Sequence, residues 1–455
     1  MTATRTLIKS ATILTMDDTI GDLAQADLLV DGDRIVDIRP GLDAGDAEIV
    51  DGRGRIVIPG LVNAHMHTWQ TALRGFSANW TLPEYFRRMH AGLATVFRPQ
   101  DIHIGTLMGA LNQINCGTTT LVDWCHNNPT PAHSDSAVAA LKESGIRAAF
   151  FHGSPKPEAA PGQPHFSEVP HPRHEVERFL AGALSNRSDR VTLGLAILGP
   201  HYSTMDVAIH DFELAREFDL IASMHQGGGP AKTPGGWARL IAAGLVGPGI
   251  NIVHGNDLPD DLLRQLVDLG VSFSVTPENE MNQGHGYPIT GRLLKLGSRP
   301  SLGVDLESVL PGDMFNVGRI ALSMQRALDN AESRRATGAI PAATTITTRE
   351  ALRWITIEGA RMLGREDTIG SLTPGKKADL VVINATDLNL WPVHDPVSTV
   401  LMQSSIANVE AVMIDGIWRK RGGYLLAENL DHKKNELERS GMRIVSEIER
   451  QEKAA

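Results

Sequence analysis

From Pro59 onward the chain repeats one pattern eight times: a short, almost wholly apolar run followed by a longer segment with helical periodicity. The runs are IPGLVNAHMH, GTTTLVDWC, IRAAFFHG, VTLGLAILGP, LIASMHQ, INIVHG, VSFSVTP and RPSLGVD. Strands apolar along their whole length are buried on both faces, and parallel strands need a crossover of a dozen or more residues between them. The intervening segments supply it. Two of them, HSDSAVAALKESG and LPDDLLRQLVDLG, open near polar or proline residues and close on glycine, as capped helices do. Eight such units predict a closed (β/α)8 barrel of the TIM type, an α/β fold.

The flanks read differently. Residues 1–58 alternate apolar runs (TLIKSATILTM, ADLLVDGDRIVDI, EIVDGRGRIVI) with Asp-Gly and Gly-Arg turns, which is hairpin character. After the eighth run, TTREALRWITIEGARMLG reads as a helix, and TIGSLTPGKKADLVVINATDL with VEAVMIDGIWRKRGG returns to strands. The expected division is a smaller β-sandwich domain from both chain ends (1–58 plus 370–425), a barrel over 59–369 and a C-terminal helical tail over 426–455. The tail is charged and amphipathic. A barrel does not need it, so it is expected as a frayed surface helix, with packing on a neighbouring subunit as the alternative.

The 53 acidic residues against 43 basic ones give a formal charge of -10, which argues against nucleic acid as a partner and for a small-molecule substrate. Cys116 and Cys125 are the only cysteines and form no C-x-x-C pair. Neither a disulfide framework nor a thiolate cluster follows, and the compartment reads as reducing. The start, MTATRTLIKSATILTMDD, has no long apolar region, and no stretch approaches the roughly 20 apolar residues of a membrane helix. A cytoplasmic protein without a membrane partner is expected.

His65 and His67 end the first apolar run one residue apart, so the two-residue period of a strand points both imidazoles to the same side. One divalent ion could take both. His225 ends the fifth run, His254 the sixth and Asp305 the eighth, at the rim where barrel loops build active sites. A packing core has no reason to place polar groups at so many strand ends.

PGLVNAHMH (59–67), these strand-end residues and the closing run IGSLTPGKKADLVVI (369–383) together resemble the amidohydrolase superfamily, over nearly the whole chain. The similarity is to its cytosine deaminase and triazine hydrolase branch, which includes chlorohydrolases and adenosylhomocysteine deaminases. The resemblance implies that His65, His67, His225 and Asp305 ligate one ion, zinc first, with iron, manganese or cobalt as alternatives. It implies that His254 orients the attacking hydroxide or the substrate, and that the protein is a homo-oligomer, a dimer or larger. Two-metal relatives carry a lysine on the fourth strand, and VTLGLAILGP has none, so a mononuclear site is expected. Such an ion lowers the pKa of its bound water toward ~7, giving a hydroxide nucleophile, and Asp305 can carry the proton to the leaving group.

The branch usually has a glutamate three residues after the fifth-strand histidine, to protonate the ring nitrogen. Here that position is Gly228, within His225-Gln226-Gly227-Gly228-Gly229. Glu278 and Glu280, after the seventh strand, are the expected stand-ins, unless they are loop carboxylates that cap a turn or helix. The glycine run lacks the lysine of a phosphate loop and reads as a roomy turn. Trp69, Gln70 and Arg74 follow the first strand where a pocket wall forms, and with His201 and His285 they are the expected substrate-binding residues. His126 is a further strand-end candidate, and Cys125 reads as a buried small residue.

The expected activity is metal-dependent hydrolysis of a non-peptide C–N bond in a small nitrogen heterocycle or related amide, in the manner of a deaminase. The alternatives are displacement of chloride or thiolate from a similar ring and, from another class, a non-catalytic barrel scaffold.

Overall fold

The computed structural model describes residues 5–454, so residues 1–4 of the first module and 455 of the tail lie outside the described residues. The eight apolar runs form eight strands: β1 (Leu61–Met66), β2 (Thr118–Cys125), β3 (Arg147–Gly153), β4 (Val191–Ala196), β5 (Ala222–Gln226), β6 (Ile250–His254), β7 (Ser272–Val275) and β8 (Ser301–Leu302). They are hydrogen-bonded in chain order, each pair parallel. Beyond β8 the ring closes through a parallel bridge between Met66 and Asp305, where the His67 N–H donates to the Asp305 carbonyl (2.9 Å) and the Asp305 N–H to that of His65 (3.0 Å).

This seam needs two local devices. The β1–β2 pairing slips between Asn63 and Met66, and the Asn63 Oδ1 accepts from the N–H groups of His65 (3.3 Å) and Val304 (3.1 Å). A side chain thus holds β1 and β8 together where the regular ladder is interrupted, a bulge-like irregularity of the kind found at barrel rims. Gly303 lies so close to β1 that a Cβ there would sit 2.6 Å from the His65 carbonyl oxygen. Only glycine allows that approach.

The helix Pro131–Ser144 ends on Gly145 at φ +76, the left-handed cap that its glycine signals. The helix expected over TTREALRWITIEGARMLG is two helices, Thr348–Trp354 and Ile357–Met362. The break has a tertiary cause. The Ile355 carbonyl accepts from the Val62 N–H at 2.8 Å and is taken out of the helical ladder, while Gly359 packs directly on Val62.

Both chain ends build one nine-stranded mixed sheet, in which Arg55–Pro59 pairs antiparallel with Leu380–Asn384. Its core, including Ile8, Ile13, Val57, Leu380, Met413 and Trp418, is separate from that of the barrel. Buried Arg147, at the start of β3, ties the two together by donating to Asp379 (2.7 Å) and Asp415. The terminal helix Leu430–Ala454 is docked, not frayed: Ile444 is buried, Ser440 and Arg443 donate to buried Asp101, and Gly441 abuts the Ala72 carbonyl. Its charged pattern hid one cation and one glycine that match a buried acid and a backbone turn. No described helix is long and apolar enough to cross a membrane.

Candidate metal centre and active-site pocket

One ring nitrogen each of His65, His67 and His225 lies within 4.8 Å of the other two. The Nε2 atoms of His65 and His225 face each other at 3.2 Å, and Asp305 Oδ1 is 3.4 Å from the Nε2 atoms of both His65 and His67. The other carboxylate oxygen, Oδ2, accepts from Asn279 Nδ2 (2.7 Å) and Thr276 Oγ1 (3.3 Å) and lies 3.8 Å from His254 Nε2. Two loop-end residues carry unusual backbone: His254 and Asp305 have φ of +70 and +74. Left-handed non-glycine residues are retained where the surroundings over-determine them, and here they aim side chains from the strand ends into the centre.

Burial depresses the imidazole pKa values, to about 3 for His67 and also downward for His65 and His225, so all three are neutral, as metal ligands must be. Burial opposes ionisation of Asp305, yet its hydrogen bond to His65 and the neighbouring imidazoles of His65, His254 and His67 hold it well below the usual carboxylate range. Two buried nitrogens that face each other without room for a hydrogen on each, with an ionised carboxylate beside them, fit one shared divalent cation. His67 Nδ1 donates to the Trp124 carbonyl at 2.6 Å, which fixes the tautomer that turns Nε2 inward.

The centre opens into a pocket with about 350 Å³ of empty space, part of it open to solvent. His254 and His285 form one side, ring centroids 4.3 Å apart, with His285 pushed down to about 3 by burial. Leu82, Tyr85, Phe86 and Tyr202 supply an apolar wall, and Lys156 reaches into the same space. A Cβ on Gly228 (φ +92) would meet Leu82 Cδ2 at 2.2 Å. The place of the branch's glutamate is therefore filled by a leucine.

A match to the Amidohydrolase family model runs over residues 56–419. The chain belongs to that family. This amidohydrolase is 27% identical over 417 residues to a 5'-deoxyadenosine deaminase of Methanothermobacter thermautotrophicus, covering 89% of this chain and 91% of the relative. It is 28% identical over 435 residues to an 8-oxoguanine deaminase of Pseudomonas aeruginosa, covering 90% and 92%. The crystal structure of atrazine chlorohydrolase from Arthrobacter aurescens TC1 complexed with zinc shares the fold, with a TM-score of 0.83, 22% identity and coverage of 96% and 99%. The protein is a metal-dependent hydrolase of small molecules, on a barrel with an added β module.

The remaining expected site residues of the amidohydrolase fall in distinct places. Glu280 is buried and accepts from Asn256 Nδ2 (3.0 Å) and the Thr276 N–H (2.8 Å), with His254 Nδ1 at 3.3 Å. Glu278, on the same helix Pro277–Gln283, turns away to Asn316 (2.9 Å), and burial raises its pKa. Buried Gln70 donates to Tyr85 Oη (2.5 Å) and accepts from Ser308 (2.8 Å), which places it behind the wall. Trp69 donates to His126 Nδ1 (3.1 Å), and the His126 ring stacks on His67 at 4.3 Å. Arg74 pairs with Glu307 at 2.8 Å, away from the cavity lining. His201 bonds Gln226 (3.0 Å) and faces a different hollow, shared with Asp257 and Trp237.

Sequence reasoning did not single out Lys156, Tyr85, Phe86, Tyr202, Thr276 or Asn279. Lys156 had one usable signal, since it lies three residues beyond the β3 end, on the rim that carries the histidines. Burial brings its ammonium down to about 7, with Asp305 acting in the opposite sense.

Proposed function

We propose that the protein is a deaminase-type hydrolase that removes an amino group from a small planar nitrogen heterocycle, with His65, His67, His225 and Asp305 holding a single zinc ion. The observation that carries this reading is the convergence of three neutral imidazole nitrogens within 4.8 Å, with Asp305 Oδ1 at 3.4 Å from two of their rings. When bound, the ion supplies an activated water and polarises the site.

The chain's own groups do the rest. Asp305, ionised and adjacent, takes a proton from the attacking water and passes it to the departing nitrogen. Asn279 and Thr276 hold its Oδ2 so that Oδ1 stays turned to the histidines. Glu280 accepts at His254 Nδ1, which leaves Nε2 directed at Asp305 and the substrate. Leu82, Tyr85, Phe86 and Tyr202 present flat or apolar surface to a ring and keep bulk water out.

The second reading is displacement of chloride or thiolate from a similar ring, groups that leave without the proton that Asp305 passes to a departing nitrogen, and the likeness of the fold to atrazine chlorohydrolase is what speaks for it. Assay of metal-loaded enzyme on a panel of amino-, chloro- and alkylthio-substituted purines, pyrimidines and triazines separates the two. Ammonia release is the expected result, whereas halide or thiol release without ammonia would replace the first reading with the second. A folded preparation that takes up no transition metal would favour a scaffold.

In this reading residues 59–369 are the catalytic barrel, 1–58 plus 370–425 the β-sandwich domain and 426–455 the tail. A cytoplasmic location is supported by two buried, unpaired cysteines, and homo-oligomeric assembly by the family resemblance alone.

A further inference from the structure

Lys156 is only 5% exposed, yet its side chain lines the active-site cavity. Its Nζ lies 5.4–5.6 Å from the ring centroids of Tyr202, Phe86 and Trp124, and it makes no hydrogen bond or ion pair among the described residues. Aromatic faces attract an ammonium but offer it no lone pair in the way a carboxylate or carbonyl does. A buried cation without an anionic partner is an expensive arrangement, and such groups are normally paired.

The carboxylate that shares the cavity does not fill this role. Asp305 Oδ1 faces His65 and His67, and its Oδ2 is occupied by Asn279 and Thr276. Glu280 is committed to Asn256, Thr276 and His254. His90 and His126, which line the same cavity, are kept neutral by burial and carry no charge to balance. The depressed pKa of Lys156 is what a buried amine without a counter-charge shows, and an anionic ligand beside it would restore its charge. That leaves the substrate as the source of the missing acceptor.

We propose that Lys156 is an anion-recognition element of the active-site pocket, and that the substrate is a planar heterocycle carrying a negative charge or an ionisable oxo group on the edge that meets it. This rests on the reading of the pocket as a hydrolase site. The ring lies against the aromatic wall, and its anionic edge accepts a hydrogen bond from the ammonium. A neutral ring of the same shape fills the pocket but leaves Lys156 without a partner, and it binds less tightly for that reason.

The test is calorimetric binding of matched purines to the metal-loaded protein near neutral pH: urate, which is anionic there, and hypoxanthine, which is neutral. The wild type is expected to prefer urate by roughly tenfold or more. Lys156→Met is expected to abolish that preference, and Lys156→Arg to keep part of it, while metal content and hypoxanthine affinity change less than about twofold. An unchanged preference in Lys156→Met, a wild-type preference for the neutral ring, or no binding of urate, barbiturate or cyanurate to the wild type would each overturn the proposal. Failure of the hydrolase reading looks different: ring anions would bind through Lys156, yet no ammonia, halide or thiol would be released from any substrate.

Discussion

The two walls of the cavity are built on opposite plans. The metal wall is made of strand ends, and several of its side chains are held by others: Asp305 by Asn279 and Thr276, His254 by Glu280, His67 by the Trp124 carbonyl. The facing set, Leu82, Tyr85, Phe86, Tyr202 and Lys156, comes from loops and short helices, and its members touch the cavity mostly through apolar surface. In the proposed reaction the first wall is the rigid constellation that activates water, in which small displacements are costly. The second can change side chains without disturbing that constellation, and it sets which ring is accepted.

If the division holds, Asp305→Asn reduces turnover to the uncatalysed background and lowers metal content, and chelation does the same reversibly, with the far-ultraviolet circular dichroism retained. Turnover that persists after full metal removal would break the comparison at once. Glu280→Gln comes next. It loosens His254 without touching the ion and is expected to lower kcat by about 10–100-fold, which steady-state kinetics with metal quantification will show.

Gly303→Ala probes the seam beneath the metal wall. A methyl group would press on the His65 backbone, and a loss of about 1–3 kcal/mol is expected, read as a lower denaturation midpoint. An unaffected midpoint would mean that the seam yields.

Protons should act on the same wall. Burial holds His67 and His285 at about 3 in the folded metal-free protein, against about 6.5 in an unfolded chain. Between those values the unfolded chain binds protons that the folded one does not, so stability falls as pH drops through that window. Metal-stripped protein is expected to melt lower at about pH 5 than at about pH 7; equal or reversed melting temperatures would contradict the assignment. The smallest effect belongs to the other wall: Leu82→Ala is expected to shift KM by less than about tenfold with kcat nearly unchanged. A fall in kcat comparable to that of Glu280→Gln would show that the apolar wall shares in the chemistry.

The barrel and the histidine cluster were legible because parallel strands buried on both faces write themselves as apolar runs, against which a terminal histidine or aspartate stands out. Glu278 and Glu280 were not separable. Two residues apart on a helix they point about 200° from each other, and only the placement of that helix decides which reaches His254. Lys156 sits in a loop with no period to betray which way it faces. The helix break at Ile355 was hidden for another reason: its cause, an N–H of β1, lies far away in sequence.

The ring of strands is fastened where Met66 meets Asp305, and the residue that fastens it also belongs to the proposed ligand set. During synthesis the three histidines emerge first and the aspartate last, so the complete donor set exists only once the eighth strand has found the first. An ion held by all four groups, as proposed, would act as a clasp: it would bind the finished ring in preference to any open form and lend its binding energy to keeping the barrel shut.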